Sequence, residues 1–226
     1  MDWTALRLSL LLGGLTVLFL LPLALFLGRF LAYRRFRGQS VLEAALAVPL
    51  VLPPTVVGYY LLVGLGSQSA VGRWFDQVLG MPLVFHLPGL VLASVIVNIP
   101  FAVQPVQRAF ENIPLEVRDA AACCGMRFWR TLWRVELPLA WPGVLTALVL
   151  TFAHTLGEFG VVLMIGGSIP GETKTIAISI YDRVQAFDFK AAGQMSVLLL
   201  VFSIAVLALA MSWGRRIGRS RDPLRF

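Results

Sequence analysis

The sequence predicts an all-α polytopic membrane protein with five transmembrane helices, and three observations lead there. The chain of 226 residues is 58% hydrophobic and only 14% charged, whereas soluble domains run near a quarter charged. So little charge does not cover a globular surface. Five apolar stretches approach or exceed the ~20 residues that a helix needs to cross a bilayer. The cations gather between particular stretches instead of scattering. Period-two alternation is absent, and a lone strand leaves its backbone unsatisfied in lipid, so the spanning elements are helices. The composition excludes a soluble enzyme, and it excludes disorder, which needs low hydrophobicity and high charge.

Span one, about 8–33, has the apolar core Leu8–Leu27. That core is too long for a signal sequence and lacks a basic leader and a small-residue cleavage site. Span two, about 41–66 with core Ala44–Leu65, contains Pro49, Pro53, Pro54 and Gly58. Proline removes backbone donors and disturbs helix packing. A broken helix at membrane depth is tolerated where it is buried in protein or lines a water-filled cavity; a plain structural kink is the other reading. Ser67–His86 follows, and Ala70–Leu79 within it has Val71, Trp74, Phe75 and Val78 at helical spacing, suited to the membrane interface. Span three, about 87–108, holds Pro100 and Pro105, with Asn98 and Gln104 as polar groups that belong toward the bundle interior. Span four, about 137–165, is interrupted by His154 and Glu158. Gly166–Gly171 is a loop, and Thr175–Tyr181 reads as a short external helix or a re-entrant piece. Span five is about 191–214. With no internal repeat, residues 1–226 form one membrane domain.

Charge sets the direction. Arg29, Arg34, Arg35 and Arg37 follow span one. Arg108, Arg118, Arg127, Arg130 and Arg134 lie between spans three and four, and Arg215, Arg216, Arg219, Arg221 and Arg225 follow span five. Only Arg7, Arg73, Lys174, Arg183 and Lys190 fall on the other side. The positive-inside rule places the N-terminus outside and the C-terminus in the cytoplasm. The net charge of +7 is therefore topology. No basic stripe interleaved with stacking aromatics points to nucleic acid. Adjacent Cys123 and Cys124 read as two buried small hydrophobes, not a disulfide, and His86 and His154 are too isolated to make a metal site.

The cytoplasmic loop, about 109–136, is the most informative segment. Asn112 and Pro114 start a helix. Ala120, Ala121 and Ala122 permit close packing, and Gly125 can take a left-handed conformation and turn the chain. The spacing then predicts a two-faced helix over 126–134, with Met126, Trp129 and Trp133 on one side and Arg127, Arg130 and Arg134 on another. Pro138 and Pro142 stop it and start span four. Periodicity alone fits a helix floating in headgroups as well as one that docks on a protein.

The spacing Asp119-Ala120-Ala121-x3-Gly125-x9-Val135-x-Leu137-Pro138 resembles the Glu-Ala-Ala-x3-Gly-x9-Ile-x-Leu-Pro loop of ABC importer permeases, with Asp for Glu and Val for Ile. Val48–Tyr59 looks like span two of molybdate permeases, Leu156–Gly160 like their span-four signature, and Ile169–Thr175 like the external loop after it. Sulfate permeases share much of the pattern, but typically have Tyr where Phe159 stands and lack the Pro-Gly-Glu-Thr loop. The resemblance covers essentially the whole chain. It implies the ABC importer permease fold and import of molybdate, with tungstate inseparable, by alternating access across the cell inner membrane. The implied partners are a second copy, cytoplasmic ATP-binding subunits and an external molybdate-binding protein. The implied docking positions are Asp119, Ala120, Ala121, Gly125, Met126, Arg127, Trp129, Arg130, Trp133, Leu137 and Pro138.

The chain offers no phosphate-cradling loop. Gly167–Thr175 ends in Lys174-Thr175, but Thr173 stands where the glycine is needed. ATP and Mg then belong to the partner, and this chain is expected to be no enzyme and to hold no cofactor. Glu158 lies sixteen residues beyond Pro142, about 24 Å along the helix toward the outer side. Acids inside a membrane default to function, yet a carboxylate repels an oxyanion. Glu158 therefore reads as a gate or helix contact, paired with backbone donors or with His154 one turn earlier. Proton coupling is a third role. The resemblance puts Gly157-Glu158-Phe159-Gly160 near the pathway, with Phe159 as a plug. A dianion's path should avoid negative charge and offer hydroxyl or amide donors. Thr151, Thr155, Asn98 and Ser94 are candidates, beside Pro53, Pro54 and Gly58. Arg73, Lys174 and Arg183 either dock the binding protein or are ordinary solvated charge. The alternatives are a sulfate or tungstate permease and an ion-coupled secondary transporter, against which the missing inverted repeat counts.

Overall fold

The structure, a computed structural model, describes residues 2–219. All regular elements among the described residues are helices. Arg221 and Arg225, counted among the cations after span five, lie outside the described residues, as do the side chains of Arg215, Arg216 and Arg219.

Helix α1 (Trp3–Tyr33) starts where Asp2 Oδ1 accepts the Ala5 N–H at 3.0 Å, which satisfies one orphan donor of the first turn. Its buried stripe recurs every three or four residues through Leu12, Thr16, Leu20, Ala24, Gly28 and Leu31. That stripe meets α5 (Leu87–Glu111) and α8 (Leu137–Gly157), and these three helices make the centre of the bundle. Leu20, Ala24, Val103, Val106, Phe110, Ala140 and Val144 fill one half of it. Leu12, Leu90, Val97, Val161, Ile165 and Ile178 fill the other. In lipid, close packing and not escape from water holds such helices together. Helix α11 (Phe189–Arg219) lies against α8 and leaves Val197, Leu200, Val201 and Ile204 exposed, as a lipid-facing helix does.

Span two is not one helix. Helices α2 (Gln39–Val51) and α3 (Pro54–Leu65) meet at a bend of 109°. Leu52 and Pro53 each precede a proline and are extended, with ψ of 141° and 136°; ring sterics exclude the helical region there. Pro54 then opens α3, where its missing N–H costs nothing. Of the two readings, a broken helix or a kink, the structure has a break: a bent pair, beside four helices long and apolar enough to span among the described residues.

The segment before span four also departs from expectation. Pro138 and Pro142 do not separate it from the span: α7 (Phe128–Thr131), a π turn (Leu132–Glu136) and α8 run on as one helical rod. A proline inside a helix removes a donor and crowds the carbonyl four residues back. The π turn pairs the Leu137 N–H with Leu132 O and opens the ladder just ahead of Pro138. Helix α8 ends at Gly157, Glu158 is extended, and the short α9 (Gly160–Gly166) follows, so span four too is broken.

The two ends of the bundle are distinct. At one end, α4 (Ala70–Leu79), capped by Ser69, leaves Val71, Trp74 and Val78 exposed. There α10 (Ile176–Gln185) docks on the start of α1: Ile176 N–H donates to Ser9 Oγ, and Ser179 Oγ donates to Asp2 Oδ2. At the other end, the last turn of α1 meets α6 (Leu115–Cys123) and the π turn.

Candidate functional site

The loop between α5 and α8 folds as helix–turn–helix. Pro114 precedes α6 in an extended conformation and Glu116 lies in its first turn, the favourable end for an acid. The helix closes with Gly125 at φ +68°. Gly125 N–H donates to Ala122 O and Met126 N–H to Ala121 O, the double closure that needs a left-handed residue. Ala121 is buried, whereas Asp119 and Ala120 are exposed. Cys123 and Cys124 are exposed thiols, not buried as expected; they sit at the free end of α6, beyond the turn that Ala121 packs. Met126 and Arg127 lead into α7 instead of belonging to it, since Arg127 is extended with ψ 159°. The two-faced helix is therefore shorter than 126–134. It still presents Trp129 at 68% and Trp133 at 65% exposure, with Phe128 edge-on to Trp129 and Arg130 and Arg134 exposed beside them. Leu137 is buried at the head of α8 and Pro138 is half-buried.

Behind this surface lies a residue that sequence reasoning missed. Glu136, the last residue of the π turn, is 1% exposed. Arg29 of α1 grips it with two bonds, Nε to Oε2 at 2.6 Å and Nη2 to Oε1 at 3.0 Å. Arg118 of α6 brings Nε to 3.8 Å from Oε1. Arg118 also lies over the Tyr33 ring at 3.6 Å, and Arg29 over the Phe128 ring at 4.3 Å. Glu136 is thus buried as fully as Glu158, although it stands just ahead of the predicted span. The only signal for Glu136 was its position two residues before Pro138, where an acid reads as a solvated charge at a span's edge.

The break in span four gathers a second polar group. Glu158 is 5% exposed; Oε1 accepts the Val161 N–H at 3.2 Å, and His154 Nδ1 stands 3.8 Å from Oε2. A carboxylate at the start of α9 meets orphan donors and the positive helix end. His154 Nδ1 is also 3.1 Å from Asn98 Oδ1, and its ring stacks on Phe101. Asn98 Nδ2 donates to Ser94 O, and Thr155 Oγ1 donates to Thr151 O. The Ser94 and Thr151 hydroxyl oxygens are buried with no hydrogen-bond partner, which few buried polar atoms are. Asn98, Thr151 and Thr155 all lie inside the chain's own bundle. Gly58 lets α3 approach α9: an added Cβ would stand 2.9 Å from Met164 Cβ. Gly160 meets Pro54 at the same contact. Pro53, Pro54 and Gly157 are exposed, and Phe159 is half-buried against Tyr181.

At the α10 end, Lys174 pairs with Asp182 at 2.6 Å and Arg183 with Asp188 at 3.3 Å. Arg73 is exposed and donates to Gln68 O. Thr173, fully buried, donates to Gly166 O and holds the Pro-Gly-Glu-Thr loop closed. Burial pushes the Asp2 carboxyl up, but the Ala5 N–H, the Ser179 hydroxyl and nearby Lys174 together hold it below its usual range.

Residues 21–221 match the model of a family described as binding-protein-dependent transport system inner membrane component. The chain is 45% identical over 207 residues to the molybdenum transport system permease protein ModB of Azotobacter vinelandii, covering 91% of each. It is 36% identical over 221 residues to the protein of that name in Escherichia coli (strain K12), covering 97% of this chain and 96% of that one. The sulfate transport system permease protein CysW of Synechocystis is 30% identical over 191 residues, covering 84% of this chain and 69% of that one. Among solved structures, a bacterial alginate ABC transporter in complex with its periplasmic protein superposes with a TM-score of 0.76. It is 18% identical and matched over 95% of this chain and 78% of its own, a likeness of fold.

Proposed function

The chain belongs to the family of binding-protein-dependent transport system inner membrane components, and from that premise we propose that it is the permease subunit of an importer that moves molybdate into the cytoplasm. The relatives named for molybdenum transport are more identical to it, over more of both chains, than the one named for sulfate. The loop residues Pro-Gly-Glu-Thr at 170–173, closed by Thr173, are what sets the external loop apart from the sulfate pattern.

The observation that carries the mechanism is the exposed aromatic–arginine surface on the α6–Gly125–α7 turn. Tryptophan and arginine are enriched among the anchor residues of protein interfaces. We assign to this surface the docking of a cytoplasmic ATP-hydrolysing subunit, which supplies ATP and Mg; the permease itself holds no cofactor. A single bundle packs Asn98, Thr151 and Thr155 among its own helices, so the pathway forms between two copies. The bent α2–α3 pair and the exposed Pro53, Pro54 and Gly157 lie on the surface available to the second copy. Glu158, fixed to the start of α9 and close to His154, acts as a helix contact beside the pathway and keeps its charge away from the oxyanion. The end carrying α4, α10, Arg73, Lys174 and Arg183 faces outward and receives the binding protein. The protein sits in the cell inner membrane, with its N-terminus outside.

The test is assembly and turnover. With its ATPase subunit and binding protein, the chain should show uptake of molybdate and hydrolysis stimulated by the loaded binding protein. Gly125→Pro and Trp129→Glu should lose the ATPase subunit on purification. Intact assembly and uptake in both variants would refute the docking assignment.

A further inference from the structure

Three properties set the buried cluster around Glu136 apart from ordinary charge at a membrane edge. Its carboxylate is almost fully enclosed and uses both oxygens on Arg29, whose side chain is itself only 20% exposed. Removing one partner of a buried pair leaves an uncompensated charge, which is strongly destabilising. The cluster also crosses element boundaries: Arg29 is in α1, Arg118 in α6, and Glu136 ends the π turn that opens α8. Lastly, among the described residues α6 packs only sparsely on the other helices. It rests on the bundle through Val117, Ala121 and Arg118, and Arg118 lies over the Tyr33 ring of α1 while reaching Glu136.

We infer that Glu136 is the hub through which displacement of the docking loop reaches the spanning helices. It ties α6 through Arg118, and α1 through Arg29, to the turn that starts α8. The π turn is where that displacement becomes rotation. It holds one residue more than an α turn, and losing or gaining that residue rotates what precedes it by ~100° about the axis of α8. Glu136 is a positioning residue: it touches neither the substrate nor the ATPase, and its effect is on the ratio of transport to hydrolysis. The inference rests on the permease reading above.

The experiment uses the complete complex of permease, ATPase subunit and binding protein in proteoliposomes, with labelled molybdate. Uptake and ATP hydrolysis are measured together, and the unsubstituted complex is the reference. Glu136→Gln should assemble and hydrolyse ATP, with uptake per ATP lowered at least tenfold. The double variant Arg29→Gln with Glu136→Gln removes the stranded charge and should recover thermal stability, yet stay uncoupled. Arg29→Lys, which keeps the charge, should retain most of the uptake per ATP. A reference-level ratio in Glu136→Gln, or in the double variant, would overturn the inference and leave the cluster a staple for stability. Failure of both of these variants to assemble would overturn it in the same sense. Absence of uptake in the reference complex would instead refute the permease reading, whatever the variants do.

Discussion

At the residue scale, single atoms decide which conformations the loops can hold. Gly125 has φ +68° and ends α6 by donating to Ala122 O. A side chain in this left-handed region costs about 1–2 kcal/mol, so Gly125→Ala should lower thermal stability in detergent by about that amount and weaken ATPase co-purification; equal behaviour to the unsubstituted protein would contradict the turn's role. Asp2 makes a second case. Its carboxyl caps α1 and bonds Ser179, so Asp2→Ala should cost about 1 kcal/mol at neutral pH. A carboxyl held below its unfolded value adds stability above the ordinary range of about 4, and that stability is lost as pH falls through the lower folded value. The gap between Asp2→Ala and the parent in denaturation midpoints should therefore close only in acid. Of the residues that shape the candidate site, Glu158 was legible as a position because an acid within an apolar run stands out, although its role had three readings. Glu136 was not. Its partner Arg29 is 107 residues away, and each sits at the end of a span, where charge is ordinary.

At the element scale, length and hydropathy made α1, α5, α8 and α11 legible, since a bilayer needs a long apolar helix and little else. The breaks were legible in kind but not in geometry. Four helix-disturbing residues in span two signal a discontinuity, and Leu52-Pro53-Pro54 is where it falls, yet Pro49 and Pro142 are accommodated inside helices. Which proline breaks a helix depends on what satisfies the freed backbone, and that is tertiary. The 109° bend makes a measurable prediction. Spin labels at exposed Val41 and Val63, on the two arms, should move apart when Pro53 and Pro54 are both replaced by alanine; an unchanged distance would show that the bend is held by packing of α3 on α9 and not by the prolines. The rod through Pro138 was illegible for the same reason, because a π turn leaves no mark in hydrophobic period. It moves the face on which Trp129 and Trp133 stand relative to α8. Trp129→Glu should weaken ATPase binding by ~30-fold or more, the loss expected of an aromatic anchor.

At the scale of the whole molecule, the bundle separates its functions by end. One end is closed by Asp2, Ser9, Thr173 and α10, and carries few free cations. The other carries Arg127, Arg130 and Arg134, the exposed Phe128, Trp129 and Trp133, and the Glu136 cluster with Arg29 and Arg118. Among the described residues, the arginine asymmetry along the chain agrees with this division, because Arg29 and Arg118, from two of the cation-rich segments, meet at the last turn of α1. Substrate preference is the property least tied to geometry, since two oxyanions of equal charge differ mainly in size. A hundredfold excess of sulfate should leave molybdate uptake by the complete complex largely unchanged if the binding protein sets selectivity, and strong competition would favour the sulfate alternative. The central claim is that this chain is an importer permease powered by a docked ATPase. Its most direct measurement is labelled molybdate accumulation in proteoliposomes holding the chain with and without the ATPase subunit, in the presence of binding protein and ATP. The account predicts accumulation only with the ATPase subunit and no response to an imposed proton gradient; accumulation that follows the proton gradient in its absence would contradict it.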